Sequence, residues 1–64
     1  MTQKELSYYE DAIGHEDNII KILEYSLQTL EDENLISFME SEVNKHNQIK
    51  EKLMNLLEEK NNGW

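Results

Sequence analysis

The chain has 64 residues, 14 of them acidic and six basic, for a formal charge of −8, and it holds neither cysteine nor proline. That length allows one domain at most, and so short a chain hides only about 60% of the surface its unfolded form exposes, which makes a lone copy marginal and self-association the expected remedy. Without cysteine there are no disulfides or thiolate zinc sites, and the redox compartment is left open. The negative charge argues against DNA, RNA and anionic membranes as partners, because each calls for a positive surface.

Reading from the start, "MTQKELSYYEDAIGHED" lacks the apolar run of a secretory signal, and no apolar stretch in the chain exceeds two residues. The expected setting is therefore soluble and cytoplasmic. Leu6, Tyr9, Ile13, Glu16, Ile20, Leu23, Leu27 and Leu30 then step by threes and fours, the a/d spacing of a heptad, and predict a first helix over about residues 3–30. Gly14 stands alone inside this periodic segment. A helical glycine costs about 0.5–1 kcal/mol relative to alanine, so it points to close helix approach at that level, to room for a bulky neighbour such as His46, or to plain tolerance.

The acidic run Glu31-Asp32-Glu33 marks the turn, with Asp32 suited to cap a second helix and Glu33 placing negative charge at its positive end. A second stripe follows through Leu35, Met39, Glu42, His46, Ile49, Leu53 and Leu56, predicting a helix over about residues 33–60. Lys60 suits its last turn, and "NNG" at 61–63 offers a left-handed cap. Trp64, after that cap, is expected to dock on the bundle end or to meet a partner.

The fold expected is all-α, a single antiparallel two-helix hairpin over residues 1–64. Ala12, Ile19 and Ile22 on one arm and Ile36, Phe38, Val43 and Leu57 on the other widen the stripes beyond what one helix pair covers. Two hairpins packed as a homo-oligomeric four-helix bundle of ferritin-like type would cover them, with Leu23, Leu27, Leu35, Met39, Ile49 and Leu53 carrying the assembly. Tyr8, Tyr9 and Tyr25 are expected as core or interface filler.

Three seam positions are polar. With the turn near residue 31, equal rise on both arms brings together residues whose numbers sum to roughly 62, so Glu16 faces His46, and Glu42 lies one turn before His46 on the same face. Titratable groups removed from water call for partners, and three readings follow. Glu16, Glu42 and His46 fix the register of a slippery seam, or lie at its wet mouth, or bind iron, manganese or zinc. Doubled by a two-fold axis, they would supply the four carboxylates and two imidazoles of a di-iron or di-manganese bundle. His15 falls outside the seam and reads as a solvated residue. Glycine-rich phosphate loops and nucleophile–base sets are missing, and Ser7, Ser26, Ser37 and Ser41 lack a Gly-x-Ser-x-Gly setting, so a non-enzymatic structural or interaction role is favoured.

The stretch from "HEDNIIKILEY" to "EEKNNGW" resembles the ferritin-like helical pair of rubrerythrins, and its ending is similar to spore coat protein F, where a helix carrying His-x-x-Ile leads to a terminal Gly-Trp. Here those residues are His46, Ile49, Gly63 and Trp64. The resemblance covers roughly residues 10–64 and implies a bacterial spore former. It implies a metal-binding Glu after a small residue on the first helix, nearest to Glu16 in "GHE", and Glu-x-x-His on the second. Val43 stands three before His46 and the carboxylate Glu42 four before, a departure that a structural coat relative without catalysis would tolerate. The small aspartyl-phosphate phosphatases of sporulation share the hairpin shape, but "NQIKE" at 47–51 puts Lys50 and Glu51 where they carry Leu and Asp.

Overall fold

A computed structural model of the chain describes residues 1–62 as two antiparallel α-helices, α1 at Gln3–Leu27 and α2 at Glu33–Asn62, forming a rod of 49 × 15 × 11 Å. The cap expected at Gly63 and the docking expected of Trp64 lie outside the described residues. No helix among the described residues is long and apolar enough to cross a membrane.

α1 starts at a reciprocal cap. The Thr2 hydroxyl accepts from the Glu5 N–H at 3.1 Å, and the Glu5 carboxylate accepts from the Thr2 N–H at 3.2 Å, so each serves the other's orphan donor. These bonds, the backbone one foremost, hold the Glu5 carboxyl below its ordinary value.

The helix ends at Leu27, about one turn short of the extent its periodicity predicts. Ser26 donates its hydroxyl to the Ile22 carbonyl at 2.8 Å and Thr29 donates to the Ser26 carbonyl at 3.3 Å, so side chains take up backbone acceptors where the ladder would continue. Gln28 and Thr29 close tighter i→i−3 bonds, at 3.2 Å each. The last turn has no basic residue, and the acidic run Glu31-Asp32-Glu33 lies where a further turn would end, which disfavours extending the negative helix end. α2 opens on Asp32, whose Oδ1 accepts from the Leu35 N–H at 3.0 Å.

Along α1 the seam uses the expected stripe, with Leu6, Tyr9, Ile13, Glu16, Leu23 and Leu27 half-buried and Ile20 buried. On α2 Met39, Glu42, His46 and Leu53 are half-buried as expected, but the rest of the stripe is shifted by one position. Ile36, Met39, Glu42, Val43, His46, Lys50, Leu53 and Leu57 are half-buried, whereas Leu35, Ile49 and Leu56 are exposed. The expected stripe and the shifted one both step by threes and fours; periodicity locates the wide apolar surface of α2 but does not say which edge of it packs on α1.

Gly14 corrects another expectation. A β-carbon built there meets nothing within 4 Å, so the glycine neither permits close helix approach nor makes room for His46. Tyr9 is half-buried in the seam, while Tyr8 and Tyr25 are exposed.

Candidate functional site

Midway along the hairpin the apolar seam gives way to charge. Glu16 comes from the middle of α1 and His46 from the facing turn of α2, with His46 Nδ1 2.5 Å from Glu16 Oε2 and the side chains 21% and 15% exposed. Glu42, one turn earlier on α2, sets its Oε2 3.8 Å from His46 Nε2 and 4.0 Å from Lys45 Nζ, both beyond hydrogen-bond reach. That oxygen is buried and has no hydrogen-bond partner among the described residues. The imidazole thus stands between two carboxylates. With its proton on Nδ1 the neutral ring serves Glu16 and turns a lone pair toward Glu42, whereas the protonated ring presents a donor to each.

Beside this pair, Lys50 Nζ lies 2.5 Å from Asp17 Oδ1, a half-exposed ion pair one residue along α1 and one turn along α2. Sequence reasoning missed it because Ile49, not Lys50, was assigned to the seam. The signal was there: Asp17 adjoins Glu16, Lys50 is four after His46, and their charges are opposite. Asn47 donates its side-chain amide to the Val43 carbonyl at 3.1 Å on the flank of the same turn. His15 is exposed and takes no part.

The three candidate ligands are therefore neighbours without forming a cation cage. Donor atoms sharing a metal at bonds of about 2.0–2.2 Å stand about 3 Å or more apart, and the Glu16–His46 contact is closer than that. Among the described residues no group of three or more His, Asp or Glu side chains is placed to hold a metal ion. What the layer does by geometry is tie one height of α1 to one height of α2 through a directional contact.

A second feature is surface left uncovered. Among the described residues Ile20, at 7% exposed, is the only buried apolar side chain, while Ile22 is 65% exposed and Phe38 60%. Of the six residues expected to carry assembly, Leu23, Leu27, Met39 and Leu53 are half-buried along the seam, and Leu35 and Ile49 face outward. One shallow apolar groove is lined by Tyr8, Tyr9, Ala12 and Leu53; another, bordered by Ile13, Met54, Leu57 and Glu58, opens where the residues are mixed.

Comparison with known proteins finds no matching family model, no similar curated protein and no similar solved structure.

Proposed function

We propose that the chain is a non-enzymatic structural or interaction unit whose working form is a self-assembled bundle of hairpins, with the Glu16–His46 contact setting the alignment of the two arms. The observation that carries this reading is that a hairpin of 62 described residues buries one apolar side chain, Ile20, and leaves Ile22, Phe38 and Tyr8 more than half exposed. Fixing the backbone costs roughly 1–2 kcal/mol per residue, which so thin a core does not offset alone. A four-helix arrangement supplies the missing burial. The spore coat, as the setting for such a unit, rests on the sequence resemblance at His46, Ile49, Gly63 and Trp64.

Light scattering at micromolar concentration, joined to thermal unfolding over a dilution series, tests the reading. The expected result is a multiple of the 7.6 kDa chain mass and a melting temperature that rises with concentration, by mass action. A folded monomer with a concentration-independent melting temperature would overturn it. Added iron, manganese or zinc is expected to leave the melting temperature unchanged; a metal-dependent rise lost in His46→Leu would make Glu16, Glu42 and His46 ligands instead.

A further inference from the structure

We propose that a second copy of the chain docks on one particular side of the hairpin, the side that carries Ala12, Ile19 and Ile22 of α1 together with Phe38, Ile49 and Leu56 of α2. The inference rests on the self-assembly proposed above and names the surface through which it occurs.

Beyond the seam, each helix carries a second heptad-spaced stripe. On α1 it runs through positions 8, 12, 15, 19, 22 and 26, and on α2 through 35, 38, 42, 45, 49, 52 and 56. Turning 100° per residue from the seam, and reversing the sense for the antiparallel arm, brings both stripes to the same side of the hairpin. The grooves agree: Tyr8 and Ala12 share one with Leu53, whereas Met54 and Glu58 border the other.

Charge divides along the same line. Of the 14 acidic residues only Glu42 lies on these stripes, which also hold Lys45 and Lys52. The opposite side receives Glu10, Asp17 and Glu24, seven residues apart on α1, and Glu40, Glu51 and Glu58 on α2. Two copies, each at −8, repel through any approach that joins those acidic columns. Meeting through the apolar side keeps the columns outward, and a basic partner would be drawn to the other side. A face with heptad stripes on two antiparallel helices is also suited to receive its own pattern, as an isologous contact requires.

The area fits. A compact monomer of 7.6 kDa presents about 4300 Å² by the scaling of surface with mass, and the hairpin presents 5128 Å². The surplus reflects the rod shape of a single hairpin, 49 × 15 × 11 Å, and packing a second hairpin alongside would reduce it.

The absence of native cysteine allows the side to be read directly. Single variants Ile22→Cys and Phe38→Cys, with Tyr25→Cys and Met54→Cys as exposed positions away from the two stripes, are reacted with a maleimide under conditions where each still scatters as the assembly. Relative to the urea-unfolded chain, labelling is expected to slow about tenfold or more at residues 22 and 38 and to change little at 25 and 54. Equal rates at all four, or protection at 25 and 54 alone, would overturn the proposed side while leaving self-assembly intact. A wild-type chain that scatters as a folded monomer would instead remove the reading beneath it. In a second arm, Phe38→Glu is expected to lower the mass in solution and Met54→Glu to leave it unchanged; the reverse would place the contact on the opposite side.

Discussion

Two stretches of one seam are built from different chemistry. Toward the turn the seam is apolar, with Ile20 buried and Leu23, Leu27, Ile36, Met39 and Val43 half-buried. At the midpoint, Glu16 and Asp17 face His46 and Lys50 through two direct polar contacts. Apolar contact is non-directional, and heptad stripes present similar surfaces after a slide of seven residues, so the first stretch supplies burial without choosing an alignment. A 2.5 Å contact between one nitrogen and one oxygen is lost in any slide, so the second stretch chooses. On the function proposed above, the hairpin divides cohesion and alignment between adjacent turns of the same helices.

The sharpest way to break that division is Ile20→Ala, which removes the one apolar side chain buried among the described residues and is expected to cost about 2–4 kcal/mol in chemical denaturation. A loss below what an exposed leucine gives would move the source of cohesion elsewhere. Glu16→Ala comes next, because it leaves a half-buried imidazole without its acceptor, with an expected loss of about 1–3 kcal/mol. The double change Glu16→Leu with His46→Leu is expected to recover that loss or more, while amide NMR spectra go from one set of signals to several as alignments compete. One sharp set in the double variant would deny the polar layer its aligning role.

Gly14→Ala sharpens the comparison from the other direction, since the glycine lies two residues from Glu16 but borders open space. It is expected to raise stability by about 0.5–1 kcal/mol, read as a higher denaturation midpoint with an unchanged slope. The smallest effect belongs to the exposed cap at Thr2 and Glu5. In the folded chain Glu5 binds its proton less tightly than in the unfolded one, so its stabilising contribution is complete above the ordinary glutamate range. That contribution is lost as pH falls through the lower folded value. Thr2→Ala is expected to lower the neutral plateau slightly, where that contribution is complete, and so to flatten the acid limb of the pH–stability curve.

Helix identity and the facing of Glu16 with His46 were legible because both follow from spacing: three-and-four steps define a helical face, and equal rise on two arms pairs residues about a common turn. The end of α1 was not, because the hydroxyls of Ser26 and Thr29 compete locally with a ladder that hydrophobic stepping predicts should continue. The one-position shift on α2 was hidden by abundance. Ile36 and Leu35, Lys50 and Ile49, and Leu57 and Leu56 are adjacent pairs, and only three-dimensional packing decides which member turns inward. The Asp17–Lys50 pair was lost with that choice.

The link between the arms, residues 28–32, also governs the order in which the molecule comes together. Contacts beside it close small loops and those at the free ends close loops nearly as long as the chain, so the entropic cost of pairing climbs slowly with distance from the bend. Zipping is then expected to begin where Leu27 and Ile36 lie closest in sequence and to reach Ile20 before it reaches His46. The Glu16–His46 contact is then expected to form late, so that a misaligned zipper reaching this height lacks it and gains less from going further.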